Sequence, residues 1–262
     1  MAIDISLVNG TLEAPVQVTV TIGILALQGA FAEHQSALER LDLRDVKAPN
    51  VKGRLDKRVC VVLVRTTEDL DRCDALVIPG GESTTIALVA RRSGLLDPLR
   101  EFIKVKPVWG TCAGAILLSK AVVGAKRGGQ ELLGGMSVTI ARNGWGSQVE
   151  SFEAPLEVAG LKDPQNPYMG VFIRAPVLLS LDQPSEYPPI EIIARLPPDV
   201  IPHAVPDSET QNQIQEGSED PKRAVAIRQG HHLLTTFHPE LTQDDRFHEY
   251  FVRECVIPTL YG

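Results

Sequence analysis

The sequence predicts an α/β fold: a doubly wound, mostly parallel sheet with helices on both faces and added antiparallel strands. Its first half alternates short apolar runs with stretches whose apolar residues recur at helical spacing, which is typical of parallel sheets. Those runs are apolar throughout, so we expect strands that are buried on both faces. The second half contains mainly short β-like runs, which favours antiparallel strands added to one side of the sheet.

The individual elements follow from these patterns in chain order. Apolar runs predict parallel strands at 21–27, 59–64, 75–78 and 107–109. Helical spacing predicts helices at 32–41, 84–92, 95–103 and 114–120. Further strands are expected near 136–141, 149–158, 170–174, 190–196, 223–228 and 232–236.

Length and composition predict one domain. The chain has 262 residues, of which 44% are hydrophobic, and this suffices for a sizeable core. We expect an N-terminal extension over 1–20 and the domain over 21–257. Stretches near 42–57 and 197–222 are polar and contain few large apolar side chains to offset the entropy of ordering them, so we interpret both as flexible surface inserts.

Charge and cysteine usage argue against several classes of protein. The formal net charge of −7 disfavours nucleic acid as a partner, because phosphate backbones need clustered Lys and Arg. Four widely spaced cysteines without a CxxC pair suggest neither a metal site nor a disulfide framework, and we expect no cofactor. The sequence shows no signal peptide and no run of the roughly 20 apolar residues that span a bilayer. We therefore expect a cytoplasmic protein that does not bind membranes.

The sharpest local signal is the pattern G-x-C-x-G at 110–114. It lies between an apolar strand and a helical run, like the turn that presents the serine nucleophile in related hydrolases. Its glycines permit the close backbone approach that such a turn requires. At a helix start, the Cys112 thiol meets the positive end of the helix dipole and backbone N–H groups, which favour thiolate and can hold an oxyanion. The alternative is that Cys112 is a small buried apolar residue, as most free cysteines are.

The sequence Phe-His-Pro-Glu at 237–240 supplies the candidate base. A proline restricts the residue before it to extended conformations, so Pro239 predicts an extended His238. Side chains two apart in an extended segment share a face, so Glu240 could orient the His238 imidazole and support its positive charge. The alternative is a strand end with an exposed His and Glu, and only the combination with Cys112 favours catalysis.

Three other histidines are given no chemical role. We expect His34 on the polar face of the first helix. His231 and His232 are interpreted as surface or strand-pairing residues.

The third motif is the glycine-rich turn Pro-Gly-Gly-Glu-Ser-Thr at 79–84, between a buried strand and a helix. Such loops direct backbone N–H groups toward a ligand. Glu82 would repel a phosphate but suits the α-ammonium group of an amino acid, and the Gly81 N–H could help to hold an oxyanion. The alternative is a plain helix N-terminus with Ser83 or Thr84 as the cap, which is compatible with ligand binding.

These motifs together resemble the class I, triad-type glutamine amidotransferases, and more closely the glutaminase subunits of pyridoxal 5'-phosphate synthase. The similarity covers roughly residues 20–255. The stretches that carry it are GILALQGAFAEH at 23–34, LVIPGGESTT at 76–85, WGTCAG at 109–114, GVFIRAP at 170–176 and FHPELT at 237–242.

The resemblance implies a role for each matching residue. Cys112 would be the nucleophile, His238 the general base and then acid, and Glu240 the carboxylate that orients His238. The residues that would bind L-glutamine are Gly81, Glu82, Ser83, Arg142, Ile173 and Arg174. The oxyanion site would comprise Gly81, Ala113 and Gln28, and family members place Gln28 at the contact with the synthase.

The resemblance also implies a reaction and a partner. Glutamine would be hydrolysed to glutamate and ammonia through a cysteine thioester, and the ammonia would pass to a synthase subunit that makes pyridoxal 5'-phosphate, in a hetero-oligomeric complex. Ser147 departs from the family pattern, which has an arginine there. The alternatives are a glutaminase subunit of another amidotransferase, a catalytically silent interaction subunit, and a cysteine peptidase or redox sensor.

Overall fold

The computed structural model describes residues 16–44, 46, 55–125, 129–142, 144–145, 151–200 and 220–262, and the structural statements below concern these residues. Their strands are β1 (Val16–Leu25), β2 (Leu55–Val64), β3 (Ala75–Ile78), β4 (Val108–Thr111), β5 (Ser119–Val123), β6 (Met136–Ala141), β7 (Ser151–Val158), β8 (Tyr168–Ile173), β9 (Val177–Leu181), β10 (Ile190–Arg195), β11 (Ala224–Gln229) and β12 (His232–Thr235). Their α-helices are α1 (Phe31–Glu39), α2 (Thr67–Asp71), α3 (Ser83–Arg92), α4 (Leu96–Val105), α5 (Ala113–Leu118), α6 (Arg246–Tyr250) and α7 (Ile257–Tyr261). A π-helical segment, Phe251–Val256, joins the last two helices, and 3-10 turns occur at Pro221–Arg223 and Pro239–Leu241.

The main sheet contains nine strands in the order β2-β1-β3-β4-β12-β11-β10-β7-β8. The strands from β2 to β12 in that order pair in parallel. The remaining strands, β11, β10, β7 and β8, extend the sheet in antiparallel fashion on one side. A second, three-stranded sheet has the order β5-β6-β9. The predicted fold class, a mostly parallel sheet with added antiparallel strands, is confirmed.

Apolar side chains pack on both faces of the central strands. In β3, Val77 enters one buried cluster and its neighbour Leu76 enters the other. The first cluster also receives Leu38 from α1 and Phe247 from α6, and the second receives Ile86 from α3. The helices therefore cover both faces, which explains why the central strands are apolar at every position.

Strand β1 begins at Val16, earlier than the apolar run at 21–27 predicts. The additional residues belong to the sequence VQVTVT, in which apolar and polar side chains alternate, so a search for continuous apolar runs misses them. They pair in parallel with the start of β2, where Val16 lies opposite Leu55. The last residues of the predicted extension therefore belong to β1, and the last residues of the first predicted insert belong to β2.

The predicted helix at 114–120 is too long at its carboxyl end. Helix α5 ends at Leu118, and Lys120 already belongs to strand β5. The Ser119 hydroxyl donates to the carbonyl of Ile116 at 2.8 Å, which satisfies an end carbonyl of the helix. The following Ala-Val-Val is rich in β-branched residues and pairs with β6 instead of extending the helix.

Several predicted segments lie wholly or mostly outside the described ranges. They are the N-terminal extension, of which 1–15 is outside, the two inserts, of which 47–54 and 201–219 are outside, and Ser147 with its neighbours. The domain limits at 21–257 and the insert assignments remain predictions.

Candidate active site

Ten of the predicted site residues line one pocket with a volume of about 550 Å³. The pocket lies where β1, β3, β4 and β12 end, and ligands of open parallel α/β sheets bind outside this edge. The ten residues are Gln28, Gly81, Glu82, Ser83, Cys112, Ala113, Arg142, Ile173, Arg174 and His238. The eleventh, Glu240, is buried and lies against His238.

Cys112 occupies a strained turn between β4 and α5. Its φ of 48° lies in the left-handed region, which is unfavourable for a residue with a Cβ atom. The backbone is held on both sides: the Cys112 N–H donates to Thr235 O of β12 at 2.9 Å, and the Cys112 carbonyl accepts from the Ile116 N–H of α5 at 3.2 Å. The surrounding sheet and helix therefore maintain a conformation that presents the thiol to the pocket.

Both glycines of the elbow are required by close backbone approach. A Cβ atom added at Gly114 would lie 1.9 Å from the carbonyl oxygen of Ile78 in β3. One added at Gly110 would lie 2.5 Å from the carbonyl oxygen of Gly114. The G-x-C-x-G spacing thus reflects how closely α5 approaches β3.

Replacing Gly114 by alanine is expected to destabilise the protein by about 3 kcal/mol or more, because backbone atoms of β3 cannot move aside cheaply. The matched control is Gly94→Ala: Gly94 has a φ of +74° but open space around it, so strain alone should cost about 1–2 kcal/mol. Chemical denaturation of both variants measures the difference. Equal losses would show that the approach of α5 to β3 is not tight.

His238 follows β12, and two contacts fix its place. Its backbone N–H donates to Val171 O of β8 at 2.8 Å, and its Nδ1 lies 2.7 Å from Oε1 of Glu240. The segment is not extended as predicted, because Pro239–Leu241 forms a 3-10 turn that folds the carboxylate back onto the imidazole. Both side chains are buried, so the alternative of an exposed strand end is wrong.

Cys112 and His238 border the same point of the pocket. A Cβ atom added at Gly80 would lie 2.4 Å from Cε1 of His238 and 3.5 Å from Cβ of Cys112. The glycine at position 80 therefore leaves open the space that the Cys112 and His238 side chains both border.

The charge state of the histidine follows from its neighbours. Burial alone would lower the pKa of His238, but its interactions with the Cys112 sulfur and with Glu240 raise this pKa to about 10. Burial would likewise raise the pKa of Glu240, but His34 and His238 lower it below its ordinary value. The His–Glu pair is therefore an imidazolium beside a carboxylate at neutral pH.

Glu82 caps helix α3 in addition to lining the pocket. Its carboxylate caps α3 by accepting from the N–H groups of Thr84 at 3.3 Å and Thr85 at 2.7 Å, so the helix cap is Glu82 and not Ser83 or Thr84. It also accepts from Nη2 of Arg142 at 2.9 Å. Burial opposes these contacts, yet they hold the pKa of Glu82 far below its usual range.

Gln130, which the sequence patterns did not indicate, joins Ser83 to Arg142. Its Oε1 accepts from the Ser83 hydroxyl at 3.3 Å and from Nη1 of Arg142 at 2.9 Å. The charge of Arg142 is thus already balanced by Glu82, and its position is fixed by Gln130.

Arg174 follows β8 in a left-handed conformation, with a φ of 42°. It is exposed at the pocket and makes no ion pair within the described residues. The preceding Ile173 directs its carbonyl oxygen to within 4.0 Å of the Cys112 sulfur. The alternative for Arg174 is a structural ion pair, but no acidic partner lies beside it in the described part of the chain. Its charge is therefore available for a ligand.

Gln28 contacts the glycine-rich turn. Its Oε1 accepts from the backbone N–H of Glu82 at 2.8 Å and would lie 2.5 Å from a Cβ atom added at Gly81. Gln28 therefore fixes the backbone orientation of this turn. Ala113 is the first residue of α5, where N–H groups have no partner within the helix and can face a ligand.

The prediction for His34 is wrong. His34 is fully buried, and its Nε2 lies 3.2 Å from the Thr111 hydroxyl and 3.5 Å from Oε2 of Glu240. Its Nδ1 lies 2.9 Å from Nε2 of His248, which is also fully buried. The polar neighbours of His34 in the sequence suggest an exposed face, but α1 packs against one face of the sheet and turns this side chain toward Glu240.

No helix in the described part of the chain is long and apolar enough to cross a membrane. No group of three or more His, Cys, Asp or Glu side chains in it has the arrangement of a metal site.

The fold and the pocket define a class: an α/β protein with a Cys, a His and a Glu in the arrangement of a nucleophile, a base and an orienting carboxylate. The chain belongs to the SNO glutamine amidotransferase family, whose model matches residues 24–204 and 191–257. The family predicted from the sequence motifs is confirmed.

Named relatives share most of the chain. A protein of Arabidopsis thaliana described as a probable pyridoxal 5'-phosphate synthase subunit PDX2 is 44% identical over 239 residues, covering 89% of this chain and 85% of the relative. The pyridoxal 5'-phosphate synthase subunit PdxT of Roseiflexus sp. (strain RS-1) is 44% identical over 233 residues, covering 88% and 98%. A crystal structure of a glutamine amidotransferase matches with a TM-score of 0.63 and 38% identity, covering 88% of this chain and 96% of that one.

Proposed function

We propose that this protein hydrolyses the side-chain amide of L-glutamine and delivers the ammonia to a synthase subunit that makes pyridoxal 5'-phosphate. Cys112 and His238 border the same part of one pocket, and Glu240 is bonded to the imidazole behind them, which is the arrangement that this reaction requires. The pocket volume of about 550 Å³ lies in the range of small-molecule sites and accommodates a free amino acid. A peptidase would need an open cleft for an extended chain.

The reaction has two covalent steps. The Cys112 thiolate attacks the side-chain carbonyl carbon of glutamine, and the imidazolium of His238 gives its proton to the departing nitrogen, so the carbon–nitrogen bond breaks and ammonia leaves. A γ-glutamyl thioester remains. His238, now neutral, takes a proton from water as the oxygen attacks the thioester and the carbon–sulfur bond breaks; glutamate leaves, its carboxyl proton passes to solvent, and the thiolate and the imidazolium are restored.

Backbone N–H groups stabilise the oxyanion that forms in each step. We assign this task to Ala113, at the start of α5, and to Gly81 in the glycine-rich turn. Gln28 acts on the site by fixing the turn, since its carboxamide oxygen already accepts from the Glu82 N–H. A change in the Gln28 contact would change the orientation of the Gly81 peptide.

Charged side chains at the pocket orient the substrate. Arg174, which has no ion pair in the described part of the chain, is assigned to the α-carboxylate of glutamine. Glu82 is assigned to the α-ammonium group. Its carboxylate would bind this group while it also accepts hydrogen bonds from Arg142 and from the first turn of α3. Ser83 and Ile173 complete the walls of the pocket around the substrate.

The partner is assigned from the relatives, which are named as subunits of pyridoxal 5'-phosphate synthase. Ammonia released into water at neutral pH becomes ammonium, which is not a nucleophile, so a sheltered path into the synthase is required. The names of these relatives favour this synthase over that of another amidotransferase. We also assign a cytoplasmic location and no nucleic-acid partner, in keeping with the free cysteines and the net charge of −7.

The purified chain alone is expected to hydrolyse glutamine slowly, and addition of its synthase subunit should raise turnover, because docking is needed to complete the site. Release of glutamate with and without the synthase measures this. Ammonium salt serves as the control, since it should support product formation by the synthase without this chain. Fast hydrolysis without the partner would contradict the coupling, and no hydrolysis with the partner would contradict the activity.

A further inference from the structure

Two buried histidines, His248 and His34, lie behind the pocket and have no part in the reaction as proposed above. They form a row of polar side chains that leads from His248 through His34 to the carboxylate of Glu240. We propose that His34 is a positioning residue that holds the second carboxylate oxygen of Glu240 and thereby fixes the His238 imidazole. The consequence for turnover rests on the proposed glutaminase function, whereas the positioning itself does not.

The two oxygens of Glu240 differ in their partners. Oε1 lies 2.7 Å from Nδ1 of His238, but Oε2 is buried and has no hydrogen bond within the described residues. A buried carboxylate oxygen without a donor is unfavourable. The structure places Nε2 of His34 at 3.5 Å from this oxygen, so a shift of a few tenths of an ångström completes the bond.

The protons of this row have one arrangement that satisfies the most groups. Burial lowers the pKa of His34 and that of His248, so each ring is neutral and carries one N–H and one bare nitrogen. With its proton on Nε2, His34 donates toward Glu240 and the Thr111 hydroxyl, and its Nδ1 accepts from Nε2 of His248 at 2.9 Å.

The far end of the row agrees with this arrangement. Nδ1 of His248 is buried without a partner among the described residues, which is tolerable for a bare nitrogen and costly for an N–H group. The opposite tautomers would leave that N–H unpaired and would also direct the lone pair of His34 Nε2 at the Glu240 carboxylate. Both imidazole N–H groups therefore point toward the triad.

A purely structural role is the rival explanation. His34 packs edge-on against Trp109, with ring centroids 5.5 Å apart, so its loss will cost stability in either case. Only positioning predicts that the bond between Glu240 and His238 changes as well. The two roles are separated by a measurement on that bond and by a variant that keeps the donor.

The test compares His34→Gln with His34→Leu in the full-length protein. The Gln amide nitrogen can take the place of Nε2 and donate to Glu240, whereas Leu fills similar space without a donor. In the complex with the synthase, the Leu variant should lose about 10- to 100-fold in kcat at nearly unchanged KM, the range found for outer groups that orient a metal ligand. The Gln variant should keep most of the wild-type kcat. His231→Leu, at a half-buried histidine outside the pocket, is the matched control and should leave kcat unchanged.

A second readout does not require turnover. The Nδ1 proton of His238, bonded to a buried carboxylate, should give a far-downfield proton resonance in the isolated protein, and this resonance should shift upfield or vanish in His34→Leu and persist in His34→Gln. An unchanged resonance in a folded His34→Leu variant would overturn the proposal, as would equal loss of kcat in two folded variants. If the wild type hydrolyses no glutamine, the proposed function fails while the resonance still decides the positioning role.

Discussion

Cys112→Ala is expected to abolish glutamine hydrolysis, with a fall in kcat of at least about 10⁴-fold, because no other group can form the thioester. Cys112 is the free cysteine that lines the pocket; Cys73 and Cys255 are buried elsewhere and Cys60 is exposed in β2. Glutamate release by the complex measures the loss. Binding to the synthase should persist, since the change removes one atom from the pocket wall.

Cys255→Ala is the matched control for this experiment. Cys255 is a fully buried free cysteine in the π-helical segment and does not line the pocket, so its loss should lower stability and leave kcat intact. A Cys112→Ala variant that still hydrolysed glutamine would remove the nucleophile from the mechanism. Absence of hydrolysis in the wild-type complex would favour a catalytically silent interaction subunit.

Glu240→Gln is expected to lower kcat by about 10³- to 10⁴-fold, in line with the effect of neutralising the orienting carboxylate in other triads. The substitution keeps the shape of the side chain but removes the negative charge that supports the His238 imidazolium. Because that charge raises the pKa of His238, its loss should lower this pKa. The pH profile of kcat/KM should then change along with the loss of rate.

Glu249→Gln separates catalysis from stability. Glu249 and Glu240 are each 5% exposed, but Glu249 pairs with Lys162 at 3.2 Å and Arg253 at 3.0 Å, outside the pocket. Its neutralisation should destabilise the protein without lowering kcat. If both variants lost activity in proportion to stability, Glu240 would have no specific role in orienting the base.

Most of the parallel sheet could be predicted because its strands are buried on both faces and are therefore continuous apolar runs. The start of β1 and the end of α5 could not be predicted this way. In the sequence VQVTVT of β1 only every second residue is apolar, so it does not form a continuous apolar run. The end of α5 depends on pairing between β5 and β6, which lie apart in the sequence. The apolar and helical patterns do not predict helix α2, although Thr66 and Asp69 form a capping box, which is a sequence signal for the start of a helix.

The residues Cys112, His238, Glu240 and Glu82 could be predicted because they belong to short motifs that lie directly after strands. Gln28, Arg142, Ile173 and Arg174 are predicted from the family resemblance and not from such motifs. What lies behind them could not be found in this way. The pairing of His34 with His248 joins residues 214 positions apart, and Gln130 reaches Arg142 from a segment without regular structure. A histidine between polar neighbours in a helix indicates an exposed face unless the packing of that helix is already known.

Labelling with a glutamine-analogue electrophile, such as 6-diazo-5-oxonorleucine, shows whether Cys112 is the nucleophile of a glutamine site. Mass spectrometry of the treated complex should show one adduct, on Cys112, and excess glutamine should prevent it. Cys60 is exposed and serves as the internal control for nonspecific alkylation. Modification of Cys60 without modification of Cys112, or labelling of Cys112 that glutamine does not suppress, would contradict a glutamine site at this thiol.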